Sequence, residues 1–183
     1  SWSDWAGGMA ITVDSEGGGQ PATTLTGTVD RSENDAPASG ATVLVRGTAL
    51  TGVTDSNGEY NIPNIPSGYY GISCGAAGLR GQSSGAVDLR ADAQQDFSLD
   101  SPGENHIEVI GTAQCGGVAC AGVLILARQE DETRARALSA SDGSFHLYLA
   151  AGSYDLWAIA HLYQMGELTG VAVSPEAPPS PSF

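Results

Sequence analysis

The sequence predicts an all-β protein built as two tandem antiparallel β-sandwiches, and three observations carry that expectation. Apolar and polar residues alternate over short runs bounded by glycine and proline, as in Glu59-Tyr60-Asn61-Ile62. Twenty-five glycines beside an apolar fraction of 41% suit short strands and many turns, and no amphipathic helix stands out. The same succession of motifs, finally, occurs twice.

In the first copy, Ala41 to Val45 is a short β-branched run. Thr54-Asp55-Ser56-Asn57-Gly58 reads as a hairpin turn, because Asn57 and Gly58 take positive φ at little cost. Tyr60 and Ile62 then share one strand face while Glu59 and Asn61 face water. Pro63, Pro66 and Gly68 forbid a helix and turn the chain into a strand whose Tyr70, Ile72 and Cys74 point one way.

The second copy keeps this order. Leu25-Thr26-Gly27-Thr28 is echoed by Val109-Ile110-Gly111-Thr112, and the strand from Gly40 to Arg46 by that from Gly122 to Arg128. Asn57-Gly58-Glu59-Tyr60 matches Asp142-Gly143-Ser144-Phe145, and Gly68-Tyr69-Tyr70 matches Gly152-Ser153-Tyr154. Subtracting residue numbers gives offsets of 84, 82, 85 and 84, so order and spacing both hold. A repeat that keeps its turn glycines and inward aromatics is a repeated domain.

A G-A-T-V-x-V strand, T-D-x-N-G-x-Y and P-x-x-P-x-G-x-Y together resemble the carboxypeptidase regulatory-like domain, closely from Leu25 to about Leu99 and more weakly from Ile107 to about Val173. The resemblance implies tandem seven-stranded, Ig-like or prealbumin-like sandwiches used as accessory, stalk, adhesion or sensor modules. It implies no activity of its own, since the zinc carboxypeptidases that carry this domain keep their catalytic residues in a separate one.

The expected organisation is an arm over residues 1–20, a first sandwich over 21–100, a linker over 101–106, a second sandwich over 107–173 and a proline-rich tail over 174–183. So short a linker predicts two domains end to end in a semi-rigid rod. In the arm, Met9, Ile11 and Val13 alternate with polar or small residues, Trp2 and Trp5 precede them and Gly17-Gly18-Gly19 follows. The pattern predicts a lone strand on a flexible tether, which would need a sheet edge of its own or of a neighbour. The tail is expected to be extended, either leading to a partner or strapped over its own surface.

Twenty-one acidic residues face seven arginines and no lysine, a net charge of −14 that argues against nucleic acid or an anionic membrane as partner. No run of 18 apolar residues is present to insert in a membrane, and no signal peptide is expected in this numbering. In an oxidising compartment Cys115 and Cys120 are expected to pair across Gly116-Gly117-Val118-Ala119, the alternative being two small buried thiols. Cys74 is expected to be an inert core residue, with an intermolecular bond as the alternative.

The second repeat turns large residues outward: His146 and Tyr148 on one strand, Trp157, Ile159, His161 and Tyr163 on the next. Something is expected to cover them, whether arm, tail, another subunit, or a sugar stacked on Trp157. The interface set is therefore Trp2, Trp5, Met9, Ile11, Val13, Tyr148, Trp157, Ile159 and Tyr163. No catalytic set, metal site or cofactor site is expected; the nearest to one would be His146 and His161 meeting across neighbouring strands beside Asp142 or Asp155. The functional expectation is a non-enzymatic extracellular structural protein, the repeating subunit of a surface fibre assembled by strand or tail docking. The alternative is a glycan- or protein-binding accessory module of a larger secreted protein.

Overall fold

The computed structural model describes residues 22–183, and among them no helix occurs. Trp2, Trp5, Met9, Ile11 and Val13 lie outside the described residues.

The first sandwich runs through β1 (Ala22–Arg31), β2 (Thr42–Val45), β3 (Thr51–Val53), β4 (Glu59–Pro66), β5 (Tyr69–Gly75), β6 (Gln82–Asp88), β7 (Ala93–Gln94) and β8 (Phe97–Leu99). One sheet is ordered β4-β1-β7, with β8 also on β1, and the other β3-β2-β5-β6. Leu25, Val29, Tyr60 and Ile62 from the first sheet meet Val43, Val45, Ile72 and Cys74 from the second in one buried cluster. Segments β7 and β8 are two pieces of one closing strand, both parallel to β1. Between them Asp96 Oδ1 accepts from the Thr28 N–H at 2.8 Å, so a carboxylate stands in for a ladder bond.

The second sandwich runs through β9 (Ile107–Thr112), β10 (Gln114–Cys115), β11 (Val118–Ala119), β12 (Leu124–Gln129), β13 (Glu132–Leu138), β14 (Ser144–Leu149), β15 (Gly152–Ile159) and β16 (Gly166–Val173). Its sheets are β14-β9 and β13-β12-β15-β16, with β10 and β11 as a small hairpin beside them. Val109, Phe145, Leu147 and Leu149 face Ile125, Ala127, Leu156 and Ala158 across a second, separate core. Pairing order in each four-stranded sheet is the same once equivalent strands are matched, and so are two side-chain staples. Thr54 Oγ1 donates to the Ala38 carbonyl and accepts from the Ala41 N–H; Ser139 Oγ does the same between Cys120 and Val123. Tyr70 donates to the Pro66 carbonyl at 2.9 Å and Tyr154 to the Ala150 carbonyl at 3.1 Å.

The turn at Thr54 to Gly58 is not a hairpin. It links β3 to β4, which belong to opposite sheets, so it is an arch over the edge of the sandwich. Only Gly58 takes positive φ, at 76°; Asn57 instead donates its N–H to Asp55 Oδ1, which also accepts from Glu59. The same local chemistry serves an arch and a hairpin, because both need a carboxylate-capped turn and one left-handed residue.

The tail is seated on its own sandwich. Ser182 bridges Thr112 in parallel, Thr112 N–H donates to the Pro181 carbonyl at 3.0 Å, and Gln114 N–H to that of Phe183 at 2.8 Å. The Phe183 ring packs 6.2 Å from that of Phe145. These three residues hold the place that β7 and β8 hold in the first sandwich. Glycine marks both sites: a Cβ on Gly27 would strike the Gln95 carbonyl and the Tyr60 ring, and one on Gly111 the Pro181 carbonyl and the Phe145 ring.

Candidate docking interface

The two sandwiches pack side by side rather than as a rod. Leu44 of β2 meets Leu124 of β12 and Leu138 of β13 in a third buried cluster, with Leu126 against it. All four side chains point away from their own cores. Glycine lets the backbones close in, since a Cβ on Gly75 would lie 3.0 Å from the Leu138 nitrogen. Strand β2 is consequently buried on both faces, Thr42 and Leu44 as well as Val43 and Val45. Two-sided burial explains why its sequence is apolar at both parities instead of alternating.

Tyr148 belongs to this seam. It points out of the second core as expected, yet is only 6% exposed, because the loop at Gly78 covers it. Its hydroxyl donates to Glu108 Oε1 at 2.7 Å and accepts from the Gly78 N–H at 2.6 Å. His146 Nδ1 lies 2.9 Å from the same carboxylate oxygen. The Tyr148 hydrogen bond first, and the His146 bond second, hold the Glu108 carboxyl below its ordinary range, while burial and the carboxylate push the Tyr148 phenol up to about 12.

Trp157 and Ile159 lie on β15, in the sheet opposite β14, so the outward residues make two patches. Arg128 lies over the Trp157 ring at 4.3 Å, and the indole N–H donates to Glu167 at 3.1 Å. One ring face is thus already covered within the chain. Ile159 is 38% exposed, and the loop beyond it shows Leu162 at 90% and Tyr163 at 55%. Ile159 and Leu162 border an apolar groove of about 440 Å³ that continues the seam past Leu44, Leu124 and Leu126. His161 lines that groove whereas His146 sits on β14 beside Glu108, so the two histidines do not meet. Among the described residues no group of three His, Cys, Asp or Glu could hold a metal, and no helix is long and apolar enough to cross a membrane.

Cys115 and Cys120 form the disulfide that staples the β10-β11 hairpin, with Gly116 and Gly117 both at positive φ in the turn. Cys74 is a buried free thiol, and burial pushes its pKa up to about 12.

Residues 24–100 match the family model described as the carboxypeptidase regulatory-like domain, which places the family resemblance on the first sandwich. No curated protein matches the chain. Among solved structures, a type II cohesin–X-dockerin complex of Acetivibrio cellulolyticus is 25% identical over 45% of this chain and 59% of its own, with a TM-score of 0.38. A streptococcal ancillary pilin is 14% identical over 88% of this chain and 61% of its own, TM-score 0.31. A minor pilin of Streptococcus agalactiae is likewise 14% identical, over 82% and 91%, TM-score 0.30. At such TM-scores these likenesses leave function to the residues themselves.

Proposed function

We propose that this chain is a non-enzymatic, extracellular structural protein, a subunit of a surface assembly, and that it docks a neighbouring copy through the apolar groove at the end of the seam. The occupant is the arm segment of that copy, whose Met9, Ile11 and Val13 recur at every second position in the sequence, the spacing of one strand face. The carrying observation is the exposure of Ile159 and Leu162 on the rim of a groove floored by Leu44, Leu124 and Leu126. Exposed aliphatic and aromatic residues contiguous with a concave apolar floor mark a contact surface. The tail is the weaker docking candidate, because Pro181 to Phe183 already complete their own sandwich.

Light scattering behind size exclusion, on the full chain and on one lacking residues 1–19, tests the reading. Concentration-dependent oligomers that vanish on removing the arm, and also on Leu162→Asp in the intact chain, are expected. Monomers at all concentrations in both would refute it.

A further inference from the structure

The apolar groove at the end of the seam has a charge pattern that sets it apart from the rest of the surface. In a chain with three acidic residues for every arginine, none of the residues lining it is Asp or Glu, and its only charged or chargeable members are Arg46 and His161. Arg46 takes the next outward position after Leu44, just past the end of β2. Leu44 is buried in the seam and Arg46 is exposed, so the cation stands where the apolar floor gives way to solvent.

The Arg46 guanidinium is held in place. Its Nη2 donates to the Ser84 carbonyl at 3.2 Å, and the group lies across Gly71, where any Cβ would collide with it. Among the described residues no carboxylate comes within 4.0 Å of it. A guanidinium that gives one N–H to a carbonyl keeps the others, and a geometry matched to carboxylates, for a partner.

The arm has the complementary composition. Residues 1–21 contain Asp4, Asp14 and Glu16 and no arginine or lysine, and Asp14 and Glu16 follow directly on Met9, Ile11 and Val13. Copies that each carry a net charge of −14 repel one another, so an acidic segment approaches most readily where the local field is reversed. We propose, on the basis of the arm docking put forward above, that Arg46 receives Asp14 and Glu16 of the neighbouring copy while Met9, Ile11 and Val13 meet the apolar floor. Charge then selects the segment that docks, and ionic strength regulates the assembly.

Sedimentation velocity on the full chain over a range of concentrations tests this. Arg46→Glu should weaken self-association about fivefold, as reversing one partly exposed ion pair predicts, and so should Asp14→Arg combined with Glu16→Arg. Mixed in equal amounts, the groove variant and the arm variant should associate about as tightly as the parent, because each then meets its complement. Raising sodium chloride from about 0.1 to about 1 M, which cuts the screening length from about 10 to about 3 Å, should weaken the parent in the same direction. Arg80→Glu makes the same change of net charge on an exposed residue of a different groove and should leave association unchanged. Should Arg46→Glu alter the thermal melt, the arm variant still decides, since it leaves the sequence of both sandwiches intact. Arm-dependent oligomers indifferent to both reversals and to salt, or as sensitive to Arg80→Glu as to Arg46→Glu, would overturn charge selection and leave the docking standing. Monomers at every concentration in the parent would instead refute the docking, and the role of Arg46 with it.

Discussion

Tyr148 shows how one side chain ties the two sandwiches together. Replacing it with phenylalanine removes the donor to Glu108 and leaves the Gly78 N–H facing a ring, at a cost of about 1–3 kcal/mol for a part-buried group left unpaired. The expected outcome of Tyr148→Phe is a lower midpoint in urea with an unchanged slope. Glu108 adds a pH signature. Its folded pKa is depressed, so its contribution is present above the unfolded carboxylate pKa and lost as pH falls through the folded one. Acid melts of the parent should therefore lose more stability below the usual carboxylate range than those of Tyr148→Phe. The effect will be modest, because the Glu108 side chain is 46% exposed and screened by solvent. The sequence showed Tyr148 pointing out of its strand, since the alternation from Phe145 to Leu149 left no other choice. That the first sandwich covers it was not legible, because the partner is a glycine N–H 70 residues away.

Closing segments differ between the repeats although what they close is the same. In the first sandwich β7 and β8 supply the last strand a few residues after β6; in the second, the closing residues arrive only after the proline-bearing stretch from Ser174. The glycines at 27 and 111 betray the equivalence, each needed because a carbonyl of the closing segment passes where a Cβ would stand. Leu25-Thr26-Gly27 and Val109-Ile110-Gly111 were visible as a repeat, but why glycine recurred in mid-strand was not, since no local pattern pairs residue 111 with residue 181. Deleting residues 181–183 should strip the Phe145 ring of its cover and free the Thr112 and Gln114 N–H groups. Amide exchange in β9 should then rise while β1 keeps its protection, and exchange mass spectrometry resolves the two. Nearby, the disulfide closes a short loop, so Cys115→Ser with Cys120→Ser should cost about 2 kcal/mol, read in the same urea melts.

Taken whole, the molecule is two sandwiches that share a wall. The signal for that wall was in the sequence: Thr42 to Val45 and Val123 to Ala127 are apolar at both parities, whereas Glu59 to Ile62 alternates. A strand wet on one face has no use for Leu44, Leu124 and Leu126, so their presence implied a cover on each four-stranded sheet. What stayed illegible was that the two covers are each other, because a short linker permits a rod as readily as a fold-back. The wall makes a thermodynamic prediction. Each sandwich alone is small and buries only about 60% of its unfolded surface, so the leucine contact is expected to couple their unfolding. Leu138→Asp places a carboxylate, without a paired charge, against Leu44 and Leu124, and desolvating it costs more than the contact returns. Calorimetry should show one transition for the parent and two for this variant, the lower one belonging to whichever sandwich relied more on the wall. Leu126→Asp, on the half-covered margin of the same cluster, should lower the midpoint while leaving one transition. Two transitions already in the parent would mean that the seam contributes little coupling, and the shared wall would then be a contact between independently stable units.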